Sequence, residues 1–295
     1  MVRPVVPEAE REIGVKHPVL THGYVVLVDY MGNDAAIVQA ARVSYGKGTK
    51  AVQDDRGLIR YLMRHRHTTP FEMVEFKFLV RLPIFVARQW IRHRMASVNE
   101  YSARYSIVPD EFEIPPAEEI RHQSTRNRQG RGDALPTEVV ERFRADLDRI
   151  SKDAYSAYTR SLEDGVARET ARLLLPVAYY TQWYWKTDLW NLFHFLSLRL
   201  DLHAQEEIRL YAAEMARITR LVAPVAYEAF EDFTLSGISL SRRERVAVRS
   251  LLDGKTPEAA CAEAGLPLTR EDGKPMTSGE GIEFLEKLAR IRSPD

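Results

Sequence analysis

Between Glu75 and Arg94 the hydrophobic period of the chain changes. Phe76, Phe78, Val80 and Leu82 alternate with Glu75, Lys77, Leu79 and Arg81. That period of two predicts a strand with one buried face. Pro83 follows, where a helix can begin, and the run IFVARQWIRHR then continues at helical spacing. A packed strand leading into a packed helix commits this stretch to an α+β arrangement.

The rest of the chain is mostly helical in pattern. Tyr24 to Tyr30 is a β-branched run and predicts a strand. Asn33 or Asp34 is placed to cap a helix through Tyr45, and Asp54 and Asp55 open a second one. Further helices are expected over 137–163, 166–175, 188–200 and 204–222, with a strand in the aromatic run Tyr179 to Trp185. The expected fold is α+β, mostly helical with a small antiparallel sheet. Residues 1–20 read as a tail, 21–238 as a catalytic domain with an insertion at 108–137, and 239–295 as a helical appendage. The insertion reading rests on Pro109, Pro115, Pro116, Gly130, Gly132 and Pro136.

Composition excludes several classes of function. The 295 residues hold 42 Lys plus Arg against 42 Asp plus Glu, so the net charge is zero. That balance disfavours a bulk nucleic-acid binder. One cysteine, Cys261, leaves no internal disulfide and no all-thiolate zinc site. It sits in an Ala-rich helical segment, the setting of a small packed residue and not of a nucleophile. No run of 18 apolar residues occurs, and the N-terminus lacks the pattern of a targeting peptide. A cytoplasmic enzyme without a membrane partner is expected.

Three polar clusters carry the chemistry. The densest runs from Arg88 to Tyr105 and holds Arg88, Arg92, Arg94 and Arg104 with Asn99, Glu100 and Ser102. An isolated arginine is usually solvated, but arginine forks gathered where a chain leaves a helix suit phosphate or carboxylate. The second cluster is His65 to Glu72. Two histidines two apart can be metal ligands, yet no Asp or Cys beside them completes a site, so no metal is expected. The third is DLWNLFHFLSLRLDLHAQEE, from Asp188 to Glu207. His194 has the setting of a satisfied core histidine, and His203 shares a face with Arg199 if the helix continues. Arg199, set between leucines, needs an anionic or carbonyl partner: Asp201, another chain or a ligand. No P-loop, GxGxxG or GxSxG is present.

Arg92-His93-Arg94, seven residues and then Ser102 resembles the signature of the flavin-dependent thymidylate synthases. His67-Thr68-Thr69-Pro70-Phe71-Glu72 upstream and LSLRLDLHAQEEIR downstream resemble that family's flanking motifs. The resemblance covers about residues 40–235. It implies conversion of dUMP to dTMP with FAD as cofactor, methylenetetrahydrofolate as one-carbon donor and NADPH as reductant. It also implies a homotetramer with active sites at subunit interfaces. Carried over residue by residue, it places the flavin on Ser44, Thr69, Glu72, Arg92, His93, Arg94, Asn99, Glu100, His194 and His203. It places the nucleotide on Gln89, Glu100, Ser102, Arg104, Arg172 and Arg199. Arg199, Ser102, His67 and His93 are implied at the chemistry. A chain with no cysteine in its body must activate uracil without thiol attack. Arg199 is the expected charge stabiliser, and Arg104 and Arg172 the phosphate holders. Where other members have Asn-x-Arg or Asn-x-His, this chain has Asp188-Leu189-Trp190, and Trp190 is placed to stack on adenine.

Two other readings make different demands. A metal-dependent phosphohydrolase would use His65, His67, His194 and His203. An RNA-binding scaffold would use the basic stretch 121–131.

Overall fold

The alternating strand is the centre of the sheet. In the computed structural model, which describes residues 5–43, 55–124 and 130–292, Phe76, Phe78, Val80 and Leu82 are all fully buried. In chain order the elements begin with a single helical turn, α1 (Pro7–Glu10), then β1 (His17–Val19) and β2 (Gly23–Met31). Helices α2 (Asp34–Val43) and α3 (Asp55–Arg64) lead to β3 (Glu75–Pro83), α4 (Ile84–Trp90) and β4 (Ser97–Glu100). Short strands β5 (Arg121–Gln123) and β6 (Arg131–Ala134) make a separate two-stranded sheet. The long α5 (Thr137–Glu163), short α6 (Arg168–Ala171), β7 (Tyr180–Asp188), α7 (Leu189–Arg199), α8 (Glu206–Val222) and α9 (Pro224–Phe230) follow. The main sheet is antiparallel throughout, in the order β1-β2-β3-β7-β4. This is the α+β class expected, with helices dominant and a small antiparallel main sheet, to which the β5–β6 pair is an addition.

The chain forms two compact units. The larger comprises residues 1–122 and 133–235, and the smaller residues 123–132 and 236–295. Within the smaller lie α10 (Arg242–Leu252), α11 (Pro257–Glu263) and α12 (Glu280–Arg292). They close on Ala247, Ala260, Cys261, Leu266 and Phe284. Ser241 and Glu244 form a reciprocal capping box at the start of α10.

Several boundaries differ from the sequence expectation. Residues 7–19, expected as part of a tail, supply α1 and the edge strand β1, because Val19 and Ala9 have core to bury against. The stretch from Val108 is not all loop. Phe112 bridges Tyr179, and buried Glu113 accepts from the Tyr180 hydroxyl and the Thr21 amide. The helix expected over 166–175 is α6 followed by a 3-10 turn, Arg172–Leu174. Of the two capping candidates, Asn33 caps α2, its Oδ1 accepting from the Ala35 amide at 3.0 Å, and Asp34 does not cap its own helix. Its carboxylate accepts from the Val225 and Ala226 amides, both at 2.9 Å, and so caps α9. Burial raises its pKa, against the pull of those two amides.

Candidate active site

Two side-chain spacings build the centre of the site. Trp90 ends α4 and is fully buried, packing on Phe195 of α7 at 4.6 Å and edge-on to Trp185 of β7 at 5.5 Å. His93 lies three residues past Trp90, and Arg199 lies one helical turn past Phe195 on the same face. Locking Trp90 against Phe195 therefore brings His93 to Arg199. The Arg199 Nε donates to His93 Nε2 at 3.0 Å, and its Nη2 donates to the Gln89 carbonyl at 3.4 Å. His93 also meets Phe195 edge-on at 4.9 Å and stands 5.8 Å from the His194 ring.

The pair has a fixed protonation state. An imidazole nitrogen that accepts from a guanidinium must carry a lone pair, so His93 is neutral there. Burial, then the Arg199 charge, then His194 hold its pKa down to about 4. Burial also lowers the Arg199 pKa. Of the partners open to Arg199 on sequence, a carbonyl is realised, and an imidazole is added. Asp201 instead accepts from the His203 amide and ring, both at 2.8 Å.

The second group hangs from β4 and the turn after it. Asn99 and Glu100 pair with Tyr184 and Trp183 of β7. The Thr181 hydroxyl donates to Glu100 at 2.6 Å. Ser102 opens a turn, its carbonyl accepting from the Tyr105 and Ser106 amides. Arg104 meets Glu169 through Nε and Nη2, at 3.1 and 3.0 Å. Arg172 Nε donates to the Glu169 carbonyl at 3.3 Å. Glu169, which sequence reasoning missed, thus bridges the two arginines expected to hold phosphate. A cavity of about 720 Å³ opens beside them, lined by Arg104, Ile107, Tyr155, Leu162, Val166 and Arg168. Of the expected site residues it touches Arg104 alone.

The third group sits at the end of α3. Arg66 adopts a left-handed backbone, φ 57°. Its amide donates to the Met63 carbonyl and that of His67 to the Leu62 carbonyl. This is a Schellman stop with arginine where glycine is usual. It sets His67 against the Tyr61 ring at 5.9 Å. Thr69 precedes Pro70 at the entry to a 3-10 turn, Phe71–Met73, and Glu72 is the middle residue of that turn. Phe71 contacts Trp190 at 5.9 Å, so α7 links this group to the first. From Trp190 to Arg199 the helix rises about 13 Å.

The remaining expectations fall as follows. Arg92 and Arg94 are exposed and have no hydrogen bond or ion pair from their side chains among the described residues. His194 is exposed on α7, not a core histidine. His203 lies beyond the helix, which ends at Arg199, so the shared face with Arg199 is not realised. Ser44 lies outside the described residues, as do Asp54, Tyr45 and residues 125–129 of the basic stretch. Among the described residues no group of three or more His, Cys, Asp or Glu is placed to hold a metal ion. No helix there is long and apolar enough to cross a membrane.

Residues 26–225 match the family described as thymidylate synthase complementing protein, Thy1. The flavin-dependent thymidylate synthase of Ruegeria pomeroyi is 56% identical over 257 residues, 86% of this chain and 85% of that protein. That of Gluconobacter oxydans is 54% identical over 257 residues, covering 86% of this chain and 85% of its own. That of Dictyostelium discoideum is 54% identical over 237 residues, 78% of each chain. Among solved structures, the UMP/dUMP methylase PolB of Streptomyces cacaoi bound with 5-Br dUMP superposes with a TM-score of 0.67 at 37% identity. The match covers 74% of this chain and 99% of that one.

Proposed function

This chain belongs to the thymidylate synthase complementing family, the flavin-dependent thymidylate synthases, and on that premise we propose how its own residues serve the reaction. The protein is an FAD enzyme that methylates dUMP to dTMP. The observation that carries the residue assignment is the half-buried Arg199 guanidinium, held by neutral His93 and the Gln89 carbonyl.

In the net reaction the C5 proton of dUMP leaves, a one-carbon unit joins C5 and a hydride completes the methyl group. FAD, when bound, supplies redox chemistry that no protein side chain can. Arg199 stabilises negative charge on the polarised uracil from a half-buried position. His93 keeps the guanidinium aimed without adding a second positive charge. Arg104 and Arg172 take the phosphate, with Glu169 already gathering both. Ser102 and Glu100 present a hydroxyl and a carboxylate to the nucleotide. Gln89 supplies an amide.

The donor set also fits FAD. Arg92 and Arg94 are exposed cations free of partners among the described residues, which suits a pyrophosphate. Thr69, Glu72, Asn99, Glu100, His194 and His203 add polar groups, and His67 with His93 supplies imidazoles for the ring region. Ser44 completes the carried-over set. Trp190 serves as a stacking face for adenine.

The reductant in this reading is NADPH and the one-carbon donor is methylenetetrahydrofolate. The working form is a homotetramer in the cytoplasm, without nucleic-acid or membrane partners. The exposed apolar side chains Met95, Leu173, Leu198 and Leu202 beside the polar groups support the assembly, since a lone subunit leaves them in water. The direct test mixes the purified protein with FAD, NADPH, methylenetetrahydrofolate and dUMP. The flavin bands should bleach anaerobically with NADPH, and dTMP should form. Absence of dTMP from an FAD-loaded protein overturns the reading.

A further inference from the structure

Gln205 stands at the N-cap of α8, a position where Ser, Thr, Asp or Asn would satisfy the free amides of the first turn. Its side chain makes no such bond. It reaches instead to α4, where its Oε1 accepts from Gln89 Nε2 at 3.4 Å. The consequence falls on the other end of the Gln89 amide. Gln89 Oε1 is buried and has no hydrogen-bond partner among the described residues. A buried amide oxygen left without a donor is costly, and such atoms in a folded protein call for a reason. The same residue's carbonyl is already held by Arg199 at 3.4 Å. The backbone of Gln89 is thus fixed by one site residue and its amide plane by Gln205.

We propose that Gln205 is a positioning residue: it fixes the Gln89 amide so that Oε1, enclosed and unpaired in the unliganded chain, accepts an N–H from the nucleotide when binding shifts the side chains that enclose it. This rests on the assignment of Gln89 to the nucleotide site. Two amides that share one hydrogen bond leave one acceptor over, and here the spare acceptor belongs to Gln89. The poor helix cap is the stability given up for that orientation.

The two roles of Gln205 predict opposite signs in one variant. Gln205→Ser in the FAD-loaded protein should improve the α8 cap and raise Tm by about 2 °C. It should also release the Gln89 amide and raise the KM for dUMP about tenfold, with kcat within about twofold. Gln205→Asn, an amide one methylene too short, should do the same. In a Gln89→Ala background, Gln205→Ser should change KM by less than about twofold, because the coupling partner is gone. An active wild type whose KM is unmoved by both variants overturns the role of Gln205. An equal KM rise in the Gln89→Ala background overturns it too. A wild type that binds FAD yet makes no dTMP overturns the functional reading instead.

Discussion

Arg199 is one turn beyond Phe195, and that spacing decides its chemistry. The helix is anchored by apolar packing of Phe195 on Trp90, so the guanidinium can be drawn away from water without a carboxylate to neutralise it. Such a cation gains most from charge that develops during reaction. Arg199→Ala should lower kcat/KM for dUMP by about 10²–10³ while the protein keeps its far-UV CD spectrum. Near wild-type turnover would remove Arg199 from the mechanism. His93 gives a pH-dependent consequence. Unfolded, its imidazole takes a proton below about pH 6.5. Folded, it does so only below about 4. Between those values the unfolded state binds more protons, so stability falls as pH drops from 6.5 toward 4. The loss reaches at most about 3 kcal/mol. Urea midpoints of His93→Gln should therefore vary less across that window than those of the wild type, and parallel curves would contradict the neutral imidazole.

Elements place these residues by how they stop. Helix α3 ends on Arg66 in the left-handed region, which costs an L-residue with a side chain about 1–2 kcal/mol. That stop turns the chain so that His67 lies on Tyr61 and Phe71 reaches the core. Arg66→Gly should keep the Schellman bonds and raise stability by about 0.5–1 kcal/mol, read as a higher urea midpoint at unchanged m. A lower midpoint would mean that the arginine side chain itself holds the segment. Helix α9 begins where Asp34 reaches across to its first amides. The hairpin from β1 to β2 closes on the pair Val19–Gly23, and a Cβ at Gly23 would meet the Tyr211 hydroxyl and the carbonyls of Val19 and Arg81. Tyr211 in turn donates to the Arg81 carbonyl at 2.8 Å, tying α8 to β3.

At the scale of the whole molecule, the larger unit contains the main sheet, all of the family match but residues 123–132, and every described site residue. Leu202 is 83% exposed and Met95 72% exposed, both within a few residues of Arg199 and His93. An assembly that covers these side chains would account for them. Leu202→Glu should reduce the sedimentation coefficient and cut dTMP formation at least tenfold, with helicity retained. An unchanged sedimentation profile would place the subunit contacts elsewhere.

The family, the α+β class and the central strand were legible because each rests on local order along the chain. A period of two in Phe76 to Leu82 can be read without knowing what it packs against, and so can the three motifs in sequence. The meeting of Arg199 with His93 was not legible, although both spacings were present. It depends on the Trp90–Phe195 contact between elements 105 residues apart. The same holds for Asp34, one of two residues read as a local cap: Asn33 fills that role, and Asp34 is used across the fold. It holds for Glu169, which lies in no motif, and for Gln205, which lies in the downstream motif without a role assigned to it; both matter through their partners, Arg104 and Gln89. His203 failed for the converse reason: its helical phase was extrapolated past Arg199, where the helix ends. Covalent neighbours set periodicity and motif order. Which distant side chains share a hydrogen bond is set by the packing of whole elements, and that is decided only when the chain has folded.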